Sequence, residues 1–208
     1  MTPHEEPRST QFLVLRKTPY DDRTIIIGGL SPELGKLTLK MPAPALHPTR
    51  PHPFFDLFQI LQVDFLPHGE WGKCRKFIPL KDFTNISHRR PHFEAACFLA
   101  RLTLDNLLPQ MPMPAFYQAL VTGFQRLAQD PLPPEATLTA AGLTLLNESG
   151  LLSPVTLSPR EAAQCQILLQ MAAGDPPPEL PPALWTDLWH WTQNQLRQTD
   201  FRLPQDRE

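Results

Sequence analysis

The sequence predicts an α+β chain in which a small N-terminal β-barrel of the OB type is followed by an all-α helical domain. Three observations carry that prediction. Apolar residues alternate with a period of two through the front of the chain and with a period near 3.6 from His88 onward. Turn residues divide the front into five short runs, as a small barrel requires. The 26 prolines are spread as punctuation rather than gathered into one tract, so the elements are short and the turns stiff. A length of 208 residues suits one large domain or two small ones. The expected division is a flexible tail over residues 1–10, a barrel over 11–85 and helices over 86–208.

Phe12 to Lys17 is the first strand candidate, and Thr18 to Asp22 turns it. Arg23 to Leu30 is the second, and the pair Gly28-Gly29 near its end predicts a bulge or sharp bend there. Ser31-Pro32-Glu33-Leu34-Gly35 is a tight turn, with proline presetting φ and glycine free to take a positive φ. Lys36 to Met41 then alternates. Leu37, Leu39 and Met41 point to a core, while Lys36, Thr38 and Lys40 point to solvent. The loop PAPALHPTRPHP cannot continue a sheet, because proline gives up the ladder donor. Phe54 to Leu66 and Trp71 to Leu80 read as a closing hairpin. On pattern alone, an SH3-like barrel is the nearest competitor.

Phe93, Ala96, Cys97, Ala100, Leu104, Leu107 and Leu108 form the stripe of a first helix, with Pro91 tolerated in its first turn. Phe116, Leu120, Phe124 and Leu127 form that of a second. A third runs from Ala136 to Glu148 and stops at Gly150. The fourth has the clearest start, Ser158-Pro159-Arg160-Glu161, in which a capping hydroxyl, a proline and a Glu three residues on form a capping box. It carries Cys165, Leu168, Leu169 and Ala172 and ends at Gly174. Pro181 opens a fifth, with Trp185, Leu188, Trp189 and Leu196 along it. No repeat period links these helices, so a solenoid is not expected.

Net charge is −2, but it is unevenly placed. Residues 1–101 hold 14 Lys/Arg and 10 Asp/Glu, whereas residues 102–208 hold 5 and 11, so basic charge gathers on the barrel. Cys74, Cys97 and Cys165 stand far apart, which suits a reducing compartment rather than a disulfide framework. MTPHEEPRST has no apolar core of a secretory signal, and no run is long enough to span a membrane. A cytoplasmic protein is expected. There is no GxSxG elbow, Walker loop or CxxC, and Gly28-Gly29 lacks the rest of a dinucleotide fingerprint. Asp21 and Asp22 sit in a turn, where Asp bonds its own backbone. An enzyme is not expected, nor is any cofactor. His88, His92 and Cys97 invite a metal, but their spacing around Pro91 is not that of a zinc site.

Several stretches resemble the RecO family of bacterial recombination mediators. LVLRKTPYDDRTIII is similar to that family's first hairpin, and LSPELGKLTLK to its turn into the third strand. Leu57 to Phe65 falls where the family has an apolar strand. HFEAACFLARLTLDNLLP resembles its first long helix, FYQALVTGFQRLAQ its second, and LTAAGLTLLNESGLLSP the helix that ends in a glycine. The resemblance covers nearly the whole chain and is most specific at the front. It implies a nucleoid-associated bacterial protein that binds single- and double-stranded DNA and promotes annealing without covalent chemistry. The implied partners are a RecR-type clamp protein and the tail of single-strand-binding protein. Many members carry a four-cysteine zinc module after the glycine-terminated helix. Leu151 to Ser158 holds no cysteine, so no metal is implied here. The loop that is usually basic offers Arg50 and two histidines.

Candidate DNA-binding residues follow from chemistry that neutralises phosphates and stacks on bases. The cations are Arg16, Lys17, Arg23, Lys36, Lys40, Arg50, Lys73, Arg75 and Lys76. Lys73 and Arg75, alternating with Cys74, are placed on one face with Lys36 and Lys40. The competing reading is an ordinary solvated sheet face with lysines guarding its edges. Tyr20, Trp71 and Phe77 are the stacking candidates, Tyr20 ahead because it lies in a turn and Phe77 behind because barrels fill their interior with aromatics. Arg89 and Arg90 lie at a helix start, where positive charge opposes the helix dipole, and that misplacement favours a binding role. The alternative function is a protein-interaction adaptor that kept the fold and lost strong DNA contact.

Overall fold

The structure, a computed structural model, describes residues 6–22, 24–42, 55–69, 71–129, 132–152 and 158–204. β1 (Arg8–Asp21) is shared by both halves of the sheet. Its first half pairs antiparallel with β4 (Gln59–His68), and its second half with β2 (Thr24–Ser31). β3 (Gly35–Pro42) pairs with β2, and β5 (Trp71–Asp82) with β4, both antiparallel. A short parallel contact, Leu39 with Gly72 and Lys40 with Lys73, closes the barrel in the order β1-β2-β3-β5-β4. A short 3-10 helix and five α-helices follow among the described residues. The N-terminal barrel and the helical part behind it are thus both present, and the change of period at His88 marks their join.

Phe12, Val14, Ile27, Leu39, Met41, Leu61 and Val63 fill the interior. Each side chain of this size contributes about 1.5–3 kcal/mol when buried. Leu39 and Met41 point inward as their alternation predicts, and Leu37 is half-buried against the same core. The bulge predicted at Gly28-Gly29 lies instead in β1. There the register steps from Val14–Gly29 to Arg16–Gly28, so Leu15 is the extra residue, while β2 and β3 pair without interruption. The bulge lets the long β1 bend from one neighbour to the other. Gly29 serves close approach, because a Cβ there would overlap the Leu13 carbonyl and the Phe12 ring.

Residues 8–10 are not part of a tail. They extend β1 along β4, where Ser9 Oγ donates to Asp64 Oδ1 at 2.5 Å and Thr10 is buried. The Thr10 hydroxyl meets Ser31 Oγ at 2.7 Å and Glu33 Oε2 at 2.6 Å, so this polar strand end is satisfied by other polar groups. The fourth strand starts later than the sequence predicts, at Gln59. Phe58 before it takes a φ of 60° and donates its N–H to the Val14 carbonyl at 2.9 Å.

The barrel unit comprises the residues up to Thr84 together with Leu107–Pro112. In that later segment Pro109 bridges to Lys36, and the Gln110 N–H donates to the Lys36 carbonyl at 3.2 Å. Gly35 is required on two counts, a φ of +69° and the Met111 backbone pressed against the place of its missing Cβ.

The helical unit holds α1 (Arg90–Asn106), α2 (Pro114–Gln129), α3 (Pro134–Glu148), α4 (Pro159–Ala173) and α5 (Pro182–Gln198). Every residue from Ala136 to Leu146 is buried, so α3 is the central helix, packed against the other four. A helix apolar on all sides belongs inside. The capping box at Ser158 and Glu161 forms as the sequence predicts, and Gly150 and Gly174 end their helices with φ of 70° and 131°. Phe116, Leu120, Phe124 and Leu127 are all buried on α2. Trp185 is fully buried and Trp189 nearly so, while Trp191 leaves their face and is half-buried. The predicted stripe of α1 holds in part, with Ala96, Ala100 and Leu107 buried, but its centre is shifted. His92, Ala95, Ala96, Leu99, Leu102 and Thr103 face inward, whereas Phe93 is partly exposed and Leu108 is open to solvent. The buried face mixes alanines and a threonine with Phe98, Leu99 and Leu102, and Phe98 packs edge-on against Trp189 at 5.3 Å.

Candidate nucleic-acid interface

The outer face of the barrel is set by the closing contact. Leu39 and Gly72 face inward, since a Cβ on Gly72 would meet Leu39 Cδ2 and Phe65 Cδ2 at 2.5 Å. Alternation then turns the next pair, Lys40 and Lys73, outward together. Trp71, two residues before Lys73, shares that side. Across the sheet the same row continues through Ile26 on β2 to Thr18 on β1. A second register shift in β1, between Pro19 and Asp21, sets Tyr20 outside the regular pairing, 58% exposed.

These placements bring three of the aromatic and basic residues into one cluster. The Lys40 Nζ lies 4.9 Å from the centre of the Tyr20 ring and 4.6 Å from that of Trp71. The two rings meet edge to face, 6.5 Å apart at 76°. A cation held over two ring faces gains about 0.5–1 kcal/mol per exposed contact. Lys73 stands exposed beside it. Arg16 is exposed in the neighbouring row, opposite Gly28, which in turn faces Thr38 on β3. With no side chain at Gly28, the surface between Arg16 and Thr38 is low.

The other candidates are placed differently. Lys17 is half-buried, its Nζ 3.0 Å from the Phe55 carbonyl, 3.3 Å from Asp56 Oδ1 and over the Phe55 ring. It fastens the segment before β4 to β1. Lys36 is half-buried at the far end of β3, roughly 13 Å along the strand from Lys40. The expected alternation of Lys73 with Arg75 breaks at a bulge. Phe65 pairs with Cys74 and Asp64 with Lys76, so Arg75 is the extra residue, and Arg75 and Lys76 are both exposed in succession. Phe77 packs edge-on against Phe55 at 5.3 Å and is half-buried, as a core residue would be. Arg23 and Arg50 lie outside the described residues, as does most of the proline-rich loop.

Arg89 and Arg90 belong to the helical unit, and their position needs no ligand to explain it. Arg89 Nη2 donates to the Leu127 carbonyl at 2.9 Å, in the last turn of α2. The Glu148 carboxylate meanwhile accepts from the Ala115 and Phe116 N–H groups at 3.0 and 2.7 Å, in the first turn of α2. Both ends of α2 thus carry the charge its dipole favours. Arg90 pairs with Glu94 at 2.8 Å, one turn on along an exposed face.

No protein-family model and no curated protein matches the chain. The local chemistry therefore carries the functional reading. Burial pushes the Cys74 thiol up to about 11, so the only cysteine of the barrel stays protonated at neutral pH. Burial also raises Cys97 and Cys165. His92 is lowered, first by burial and then by the Arg89 charge. Among the described residues no group of three His, Cys, Asp or Glu side chains is placed to hold a metal ion. No helix among them is long and apolar enough to cross a membrane.

Beside the cluster is a cleft of about 150 Å³, walled by Trp71, Leu37, Thr38, Glu33, Arg8 and Gln110 among others. Arg8, Glu33 and Gln110 give no warning in the sequence. They come from a strand end, a turn and a segment more than seventy positions away, and only Arg8 has a charge that composition would have flagged for phosphate.

Proposed function

We propose that the chain is a RecO-like DNA-binding protein of recombinational repair, which lays single-stranded DNA across the outer face of its barrel. The observation that carries this reading is Lys40 held between Tyr20 and Trp71, with Lys73 at its side. Cations that release counterions from phosphate, set among rings that stack on any base, give affinity without sequence preference. The front-loaded basic charge and the resemblance at LVLRKTPYDD support the same reading. A RecR-type clamp and the tail of single-strand-binding protein are the partners it implies, with annealing and mediator loading as the non-covalent outcome. A salt titration of oligonucleotide affinity tests it. Each phosphate contact on a single strand contributes a slope of about −0.7 in log K against log salt. Two or three contacts should therefore give roughly −2. A flat response, or no binding at low salt, would sink the proposal.

A second reading is an adaptor on the same fold with weak DNA contact. Two observations favour it. Lys17, Arg89 and Arg90 already have partners within the chain, and Ile78 and Leu80 are about half exposed on β5, an apolar pair available to a protein. It predicts that the clamp or the single-strand-binding protein is retained in a pull-down while oligonucleotide binding is negligible. Recovery of neither partner would count against it.

A further inference from the structure

We infer that the cleft beside Trp71 receives one unpaired base of the strand held at Lys40 and Lys73. The inference rests on the strand-binding reading and adds to it a seat for a base. Trp71 belongs to both features, since its ring lies under the Lys40 ammonium and also walls the cleft. A phosphate held by Lys40 or Lys73 therefore places the attached sugar beside the opening.

The shape of the cleft fits a small flat occupant. Its volume of about 150 Å³ is well below the roughly 300–1,000 Å³ of pockets for drug-sized ligands. A single aromatic heterocycle is of the right order. The lining divides as a base would need. Leu37, Phe65 and Trp71 offer apolar and stacking surface, while Arg8 donates and Glu33 accepts. The Watson–Crick edge of a base carries donors and acceptors side by side. Glu33 is fixed for that work, because its Oε2 already accepts from Thr10 at 2.6 Å and from Ser31 at 3.3 Å. A ligand would meet a carboxylate held in place rather than a mobile surface acid.

Strain gives an independent pointer to the same place. Gln110 takes a φ of 57°, one of three non-glycine residues with positive φ among those described. Such a backbone persists only where its surroundings impose it, and it gathers at ligand sites. Here the Gln110 N–H is tied to the Lys36 carbonyl and the adjacent Met111 backbone fills the space left by Gly35, which fixes Gln110 at the rim of the cleft.

The test compares a short oligodeoxynucleotide with an abasic strand of equal length and charge, by fluorescence anisotropy on the full chain at several salt concentrations. The natural strand should bind about tenfold tighter, in line with the stacking of a base on an aromatic ring. Both strands should share one salt slope. Thr38→Trp, which fills the cleft from β3 and leaves the lysines and Tyr20, should remove most of the natural strand's advantage over the abasic one without altering that slope. Circular dichroism and the unfolding midpoint establish that the variant is folded. Equal binding of both strands by the wild type overturns the inference and leaves strand binding standing. So does an advantage that a folded Thr38→Trp leaves undiminished. If neither strand binds, the strand-binding reading fails and takes the inference with it.

Discussion

Two lysines of the barrel, Lys17 and Lys40, sit beside aromatic rings, and their surroundings differ in one respect that separates structure from binding. Lys17 has a ring, a carbonyl and a carboxylate, so its charge is answered within the fold. Lys40 has two rings and, among the described residues, no carboxylate. A ring face attracts a cation without neutralising it. Lys40 is therefore held in position and still carries its charge to solvent, which is the state a phosphate contact needs. A count of basic residues treats the two as equal.

The comparison presumes one closed barrel carrying both lysines, and Gly29→Ala should break it most severely. The new methyl would overlap the Leu13 carbonyl, which cannot move without opening the β1–β2 pairing. Overpacking of this kind costs about 3 kcal/mol, and a large drop in unfolding midpoint by thermal denaturation is the expected result. A smaller effect sharpens the contrast directly. Lys40→Ala should weaken oligonucleotide binding severalfold and reduce the salt slope by about one. Lys17→Ala should leave affinity and slope alone, and lower stability by about 1 kcal/mol or less, since its ion pair is partly exposed. Reversed outcomes for the two variants would remove the distinction.

Tyr20→Ala comes next. It removes a stacking face and no charge, so affinity should fall by about 1 kcal/mol with the slope unchanged. The smallest effect lies in the helical unit. His92 has a folded pKa below its ordinary value of 6.5, so the unfolded chain takes up the proton more readily. The stability this contributes is complete above 6.5 and is lost as pH falls through the lowered folded value. Chemical denaturation at pH 7.5 and pH 5.5 should show the decline, and His92→Gln should flatten it. An unflattened decline would assign the effect to other groups.

Much of the barrel was legible because strand alternation reports directly on inside and outside. Leu39 and Met41 against Lys36 and Lys40 needed nothing else. The bulge was displaced because Gly28 and Gly29 mark where chains approach, and the extra residue can lie in the partner strand, as Leu15 does. Arg8–Thr10 read as tail because their partners, Asp64, Ser31 and Glu33, are themselves polar and remote. Burial of polar groups by one another leaves no hydrophobic trace. Arg89 precedes its own helix, where a positive charge opposes the dipole, whereas its guanidinium serves the end of another. In the candidate site, Tyr20, Lys40 and Lys73 were each legible as residue types. Their convergence was not, since it depends on a parallel contact of two residue pairs between β3 and β5.

That brief contact also bears on how the barrel breathes. The β3–β5 join is fastened by Leu39–Gly72 and Lys40–Lys73, against eight register pairs between β2 and β3. Local opening follows the least-fastened backbone, so amide protons at Gly72 and Lys73 should exchange early among those of the sheet. A strand of DNA lying over Lys40 and Lys73 would tie the two edges from outside. Slowed exchange along this seam would then report occupancy of the face, and ligand concentration would set how tightly the barrel stays shut.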